Sequence, residues 1–175
     1  MNEVIKTIKE RRSIRKYKPD MIPDETINQI IEAGLYAASG RGKQAPIIIA
    51  VTNKELRDKL SVFNCEIGGW QNGFDPFFGA PVVLIVLADK SANTYVYDGS
   101  LTMGNMMLAA HSLGIGSCWV HRAKEEFETP EYKELLKSLG FTGEYEGIGH
   151  CVLGYPDTVV TQAAERNENR VCYIR

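Results

Sequence analysis

Apolar residues recur every three or four positions in two segments near the start of the chain, which is the spacing of an amphipathic helix. The first segment contains Val4, Ile5 and Ile8, and the second contains Ile27, Ile30, Ile31 and Leu35 after Pro23. The β-branched run from Ile47 to Thr52 predicts a strand, and Asn53 is a candidate N-cap for a third helix. The chain is therefore predicted to open with two helices, a strand and a helix.

Four later segments are apolar for most of their length: 81–88, 95–113, 115–121 and 147–154. The second is long and rich in small residues and methionine, so it predicts a central, buried helix that Gly114 ends. The three short runs predict strands. A helical pattern covers 130–139, and the alternating tail 170–175 predicts a strand that pairs outside its own core. Helices and strands mix without regular alternation, which favours the α+β class.

Composition limits the kind of protein that this chain can be. With 175 residues, 44% of them hydrophobic and 24% charged, we expect a single globular domain over 1–175. A net charge of -2 offers no general attraction to nucleic acid or to an anionic membrane surface. The apolar run from Ala80 to Ala88 is too short to span a bilayer and the N-terminus has no leader pattern, so a cytoplasmic protein is expected.

The four cysteines give no sign of a metal site. Cys65, Cys118, Cys151 and Cys172 lie far apart, and no two of them form a C-x-x-C pair, so neither zinc nor an iron–sulfur cluster is indicated. We expect buried thiols, with Cys118 as the alternative candidate for a nucleophile.

An aromatic, glycine-rich segment at 65–79 has no clean period. It contains Trp70, Phe74, Phe77 and Phe78. We expect a mobile loop or short helix near a ligand, able to act as a lid. Core packing is the alternative for at least two of these aromatic residues.

The chain gathers three guanidinium groups and a hydroxyl in Arg11-Arg12-Ser13-Ile14-Arg15. Arginine forks match the geometry of phosphate, and a serine hydroxyl adds a neutral donor. Solvated surface charge is the alternative interpretation. The sequence has neither of the common glycine-rich phosphate loops, so a phosphate would depend on side chains such as these.

Four motifs, in their order and spacing, resemble the nitroreductase family of FMN-dependent oxidoreductases nearly from end to end. They are the arginine cluster 11–15, the segment Ala38-Ser39-Gly40-Arg41-Gly42-Lys43-Gln44, the segment from Gly114 to Trp119, and Leu153-Gly154-Tyr155-Pro156. The resemblance implies a nitroreductase-like α+β fold with a central, mostly antiparallel sheet flanked by helices. It also implies a homodimer with two FMN sites in its interface, and the C-terminal strand is a candidate for exchange between subunits.

By the family pattern, Arg11, Arg12, Ser13 and Arg15 lie along the flavin. Arg11 would contact the phosphate, and Arg15 would lie near the N1 and C2 carbonyl edge of the ring. Reduction places negative charge on that edge, so a fixed cation there favours reduction.

The rest of the implied cofactor site comes from other parts of the chain. It consists of Ser39, Arg41 and Gln44 from the other subunit, Asn72 at the pyrimidine end, backbone amides of Val120, His121 and Arg122 over N5 and O4, and Arg166 at the phosphate, with Arg170 as its alternative.

Two positions in this set depart from the family. Gly42 stands where many members have asparagine, and Lys43 is a candidate to replace the lost hydrogen bond. His121 and Arg122 stand where glycines are usual, and His121 is equally a candidate for a structural role at a strand end.

The resemblance implies that the flavin, not a side chain, carries the chemistry. NADH or NADPH would reduce FMN, and a nitroaromatic, quinone or similar electron-poor small molecule would then take the hydride in a ping-pong cycle. The first alternative is a specialised flavoenzyme of the same fold, such as an enone reductase, a dehalogenase or a flavin-cleaving enzyme. The second is a non-catalytic module that binds FMN or a phosphometabolite.

Overall fold

A computed structural model describes residues 1–160 and 162–175. The helices are α1 (Glu3–Glu10), α2 (Asp24–Leu35), α3 (Lys54–Ile67), α4 (Tyr95–Ser112), α5 (Ala123–Phe127) and α6 (Pro130–Ser138). The strands are β1 (Pro46–Val51), β2 (Val82–Asp89), β3 (Gly116–Val120) and β4 (Tyr145–Gly154). Asn53 caps α3 as expected, because its side chain accepts a hydrogen bond from the Leu56 N–H at 2.9 Å.

The four strands form one antiparallel sheet in the order β1-β2-β4-β3, which confirms the α+β prediction. The central strand β2 is covered on both faces, and its residues from Val82 to Ala88 are at most 1% exposed. This is why its sequence is continuously apolar rather than alternating. β1 and β3 form the two edges of the sheet.

The core lies on both faces of the sheet. On one face Leu60 of α3 and Phe127 of α5 pack with Val83 and Ile85 of β2. On the other face Ile30 of α2 and the two methionines Met103 and Met106 of α4 pack with Leu84 and Val86. Alternate residues of one strand therefore enter two different clusters.

Two expectations for the helices are wrong. The short helix α5 was not predicted, because its five residues contain too few turns to show a period. The helix α4 is only partly buried, since its apolar residues Val96, Tyr97 and Leu101 are 41%, 72% and 50% exposed. In the helices of the described chain, no segment has the length and apolarity needed to cross a membrane.

The C-terminal tail forms no strand among the described residues. Its apolar side chains Val171, Tyr173 and Ile174 are 73%, 77% and 99% exposed. Cys172 in the same segment is also exposed, so the expectation of a buried thiol is wrong there, whereas it is confirmed for Cys65, Cys118 and Cys151. Exchange of the tail with a second subunit stays a prediction.

The aromatic segment is organised around one carboxylate. The side chain of Asp75 accepts hydrogen bonds from the Ser61 hydroxyl at 2.6 Å and from the N–H groups of Phe77 and Gly79 at 2.9 and 2.7 Å, and it pairs with the guanidinium of Arg57. Burial opposes the charge of Asp75, but these donors and the guanidinium together outweigh it and hold its pKa below the ordinary value.

The aromatic residues of this segment have different fates. Phe77 is fully buried and Phe78 packs against the same cluster, so the core alternative is confirmed for these two. Trp70 and Phe74 remain 40% and 43% exposed, with ring centroids 5.2 Å apart in an edge contact. The first three residues of the predicted loop, 65–67, continue α3 instead.

We expect Asp75→Asn to lower the free energy of unfolding by about 1.5 to 3 kcal/mol at pH 7, the range for hydrogen bonds to a charged group. Because the pKa of Asp75 is depressed in the folded state, this contribution is present above the ordinary carboxyl pKa of about 4 and is lost as the pH falls through the folded pKa. Denaturant titrations of both proteins from pH 7 to pH 3 check this. A difference that stays constant over that range would contradict it.

Candidate functional site

The arginine cluster is held along the edge strand β3 by the backbone. Ile14 donates its N–H to the Ser117 carbonyl at 2.9 Å, and Ser13 forms a parallel bridge with Ser117. Ile14 and Tyr17 are each only 8% exposed, and the Tyr17 hydroxyl donates to the Ile14 carbonyl at 2.7 Å. Since neighbouring side chains of an extended segment face opposite ways, burial of Ile14 turns Ser13 and Arg15 away from the core.

Three buried donors in this corner of the molecule have no partner among residues 1–160 and 162–175. They are Arg11 Nη1, Arg12 Nε and Ser117 Oγ. Arg12 is held in place by its Nη1, which donates to the carbonyls of Lys9 and Arg11 at 2.7 and 2.8 Å at the end of α1. Buried polar atoms without partners are rare in native proteins, so this group fits a bound oxyanion better than solvated surface charge.

Cys118 lies beside the same cluster without being activated by it. Burial raises the pKa of its thiol, and the opposing effects of the Arg15 guanidinium, the Ser13 hydroxyl and the Arg11 guanidinium are too small to reverse that. A nucleophilic cysteine needs a lowered pKa, so the structure disfavours this alternative.

The other end of β3 leads into the turn at Val120, His121 and Arg122. Arg122 has a φ of 81°, in the left-handed region, and stands at the N-cap of α5. Its guanidinium carbon lies 4.2 Å from the centroid of the Trp70 ring. The left-handed backbone explains why glycine suits this position and shows that an arginine adopts the same path here.

Sequence reasoning missed a buried polar network behind this turn. His150 Nε2 lies 2.8 Å from Glu126 Oε2, and both side chains are fully buried. Asn64 Nδ2 donates to Glu126 Oε1 at 2.7 Å and to the carbonyl of His121 at 2.9 Å. The sequence did contain a signal for this network, which is His150 itself. It is a histidine within the otherwise apolar run 147–154, with no polar residue beside it on its face of the strand.

A close approach between α5 and β4 fixes where the turn lies. A Cβ at Gly147 would lie 2.1 Å from the Ala123 carbonyl oxygen, so only glycine permits this contact. A cavity of about 460 Å³ adjoins Gly147 and is lined by His121, Arg122 and Lys124.

The loop 38–44 is compact and lies elsewhere. Ser39 Oγ accepts from the Gln44 N–H at 3.1 Å, and the Gly40 N–H donates to Asp98 Oδ1 at 3.1 Å. Arg41 and Gln44 have left-handed φ values of 56° and 50°. The loop leads directly into β1, at the edge of the sheet opposite β3 and three strand spacings away, about 14 Å.

Two more predicted residues stand apart from the buried donors. Asn72 is exposed and lines a cavity of about 430 Å³ together with Trp70, so its loop adjoins the turn at Arg122. Arg166 is exposed in the tail and forms no hydrogen bond or ion pair with residues 1–160 and 162–175. One chain thus brings together Arg11, Arg12, Ser13, Arg15 and the turn along β3, but not the loop 38–44 or Arg166. The roles of all these residues stay predictions.

Comparison with known proteins agrees with this fold. The sequence matches the Nitroreductase family over residues 8–65 and 69–155. A relative from Methanothermobacter thermautotrophicus is 35% identical over 121 residues, which are 67% of this chain and 60% of that protein. An FMN reductase [NAD(P)H] from Bacillus subtilis is 30% identical and aligns over 89% of this chain and 67% of its own length.

The solved structures include a nitroreductase with bound FMN from Bacteroides fragilis. It is 29% identical, covers 100% of both chains and superposes with a TM-score of 0.89. The protein therefore falls in the class of flavin-dependent oxidoreductases with an α+β fold. This follows from the antiparallel sheet, the donor cluster along its edge strand and these matches. The chain belongs to the nitroreductase family, which confirms the resemblance.

Substitution of Arg122 separates the two features of this turn. Arg122→Ala loses the contact with Trp70 and keeps the left-handed strain, so we expect it to lower the free energy of unfolding by about 1 kcal/mol. Arg122→Gly loses the same contact but relieves the strain, so it should be more stable than the alanine variant by about 1 kcal/mol. Denaturant titration measures the free energy of unfolding of both variants. Equal values for the two would contradict backbone strain at position 122.

Proposed function

We propose that this protein is an FMN-dependent NAD(P)H oxidoreductase that passes hydride to nitroaromatics, quinones or similar electron-poor acceptors. The observation that carries the proposal is the set of unpartnered buried donors, Arg11 Nη1, Arg12 Nε and Ser117 Oγ, at one end of β3. The other end of β3, at Val120, is three residues from Ser117, about 10 Å along a strand, and leads into the turn 120–122. Donors for a phosphate and for a ring edge are thus separated on the scale of one mononucleotide.

The residues of this chain fit FMN by their chemistry. Arg11 and Arg12 would hold the phosphate through charge-assisted hydrogen bonds, and the Ser117 hydroxyl would add a neutral one. Arg15 keeps its charge at all ordinary pH values, so it would provide a permanent cation beside the ring. Bound FMN would supply hydride transfer at N5, from NAD(P)H in one half-reaction and to the acceptor in the other.

The exposed ring of Trp70, with Arg122 stacked on it, adjoins the turn at 120–122. We infer that this pair forms one wall of the pocket in which NAD(P)H and the acceptor alternate. An aromatic wall suits planar, electron-poor substrates because they stack on it. Alternation in one pocket is what makes the proposed cycle ping-pong.

We also propose that the working unit is a homodimer with shared sites. The loop 38–44 and the β3 donors lie at opposite edges of one sheet, so a single chain cannot close both around one ligand. The helices α1 and α4 leave apolar side chains exposed, with Val4 at 63% and Tyr97 at 72%. An apolar surface of this kind is typical of a subunit interface. A second copy would cover it and bring its own loop to the first copy's donors.

Spectroscopy tests the proposed activity directly. The purified protein, saturated with FMN, should show the visible absorption of bound flavin, and anaerobic NADH or NADPH should bleach it. Adding a nitroaromatic or a quinone should restore the colour, and initial rates at varied concentrations of both substrates should give the parallel reciprocal plots of a ping-pong cycle. Flavin that is retained but bleached by neither nicotinamide would contradict the proposal and favour a binding module.

The phosphate assignment predicts the behaviour of Arg11→Ala. Hydrogen bonds to a charged group contribute about 1.5 to 3 kcal/mol, so the dissociation constant for FMN should rise roughly 10- to 100-fold. Fluorescence titration of the apoprotein with FMN measures it. Lys9→Ala, two residues earlier in the last turn of α1, removes the same charge and should leave the affinity unchanged. Equal affinities for native protein and Arg11→Ala would remove Arg11 from the site.

Arg11→Ala, combined with Gly40→Ala, tests whether each site is shared between two subunits. In Gly40→Ala the new Cβ would lie 2.2 Å from the Thr94 hydroxyl oxygen, so the loop 38–44 must shift. Each variant alone should bind FMN weakly. Subunits of the two variants, dissociated and mixed, should regain part of the tight binding, because each mixed dimer has one site with both halves intact. No recovery in mixed dimers would contradict shared sites.

A further inference from the structure

The buried network of Asn64, Glu126 and His150 has no part in the proposed chemistry, yet it is aimed at one place in the chain. Asn64 Nδ2 lies 2.9 Å from the carbonyl oxygen of His121, and His150 Nδ1 lies 3.4 Å from the carbonyl oxygen of Val120. Two consecutive carbonyls of the turn after β3 are therefore held from behind by side chains that are fully buried.

Because of peptide-bond geometry, holding these two carbonyls also orients the N–H group of the residue that follows each of them. A trans peptide is planar, and its C=O and N–H point in opposite directions. The described chain has no cis peptide bond. Holding the Val120 carbonyl inward therefore turns the N–H of His121 outward, and holding the His121 carbonyl does the same for the N–H of Arg122.

These two N–H groups are also free. Neither donates to a backbone or side-chain acceptor within residues 1–160 and 162–175. Backbone donors are nearly always paired in folded proteins, so two adjacent free ones mark a place where another acceptor binds.

We propose that Asn64, Glu126 and His150 are positioning residues that preorganise the N–H groups of His121 and Arg122 as a pair of donors for the ring edge of the bound flavin. The inference rests on the proposed function, since it takes FMN as the ligand. Donors fixed before binding need no ordering when the ligand arrives, and that raises affinity.

The hydrogen atoms shared by His150 and Glu126 can be placed in one consistent arrangement. Both ring nitrogens of His150 face oxygen atoms, so one proton on Nδ1 and another shared between Nε2 and Glu126 Oε2 satisfy both contacts. Glutamine at 126 meets the same demands, because its carbonyl accepts from Asn64 and its amide donates to Nε2. Glu126→Gln is therefore the conservative variant that keeps the network, and Asn64→Leu is the variant that breaks it.

The experiment follows the two amides individually by hydrogen exchange in ¹⁵N-labelled protein, with and without FMN. In the native protein and in Glu126→Gln, FMN should slow the exchange of His121 and Arg122. In Asn64→Leu that protection at Arg122 should fall at least tenfold, and the dissociation constant for FMN should rise about tenfold, the effect of one weakened hydrogen bond. If Asn64→Leu does not fold, Asn64→Ser has a side chain too short to reach the His121 carbonyl and serves instead.

Leu60→Ala is the matched control. Leu60 lies one turn before Asn64 on α3 and is fully buried, but its apolar side chain cannot donate a hydrogen bond to either carbonyl of the turn. Its loss should destabilise the protein and leave the protection of both amides by FMN unchanged. Protection that survives in Asn64→Leu, or that falls equally in Leu60→Ala, would overturn the positioning role while FMN binding stands. Absence of FMN binding in the native protein would instead overturn the proposed function.

Discussion

The docking of Ser13 and Ile14 on the edge strand β3 is the interaction on which the site depends. A single backbone bond, from the Ile14 N–H to the Ser117 carbonyl at 2.9 Å, sets the register, and the buried side chains of Ile14 and Tyr17 hold it. Because neighbouring side chains of an extended segment face opposite ways, this one docking turns Ser13 and Arg15 away from the core, toward the proposed site. Without it the arginines would be three separate surface charges.

The sheet order adds a second constraint. Placing β1 and β3 at opposite edges separates the loop 38–44 from the donor cluster, although both belong to motifs of one family. At the same time α1, α4 and the tail leave apolar side chains in solvent. Both features support the proposed homodimer, in which a second copy would complete the site and cover part of the exposed apolar surface.

Behind the turn at 120–122, polar groups occupy the core where apolar ones would pack as well. A fully buried carboxylate and histidine are costly unless they are hydrogen-bonded, and here Glu126 and His150 bond to each other while Asn64 donates to Glu126 and to the His121 carbonyl. Such a network specifies one arrangement of the backbone more sharply than apolar packing does. It lies directly behind the N–H groups of His121 and Arg122, which have no acceptor among residues 1–160 and 162–175.

Much of this was available from the sequence, because period and residue type report local structure. The periods of α2 and α3, the continuous apolar run of β2, the cap at Asn53 and the family motifs predicted the class, most elements and the arginine cluster. Only the tertiary structure decided which donors lack partners, that Asp75 organises the aromatic loop, and that Asn64, Glu126 and His150 meet. Those three residues lie on α3, α5 and β4, and contacts between distant elements leave no local pattern in a single sequence.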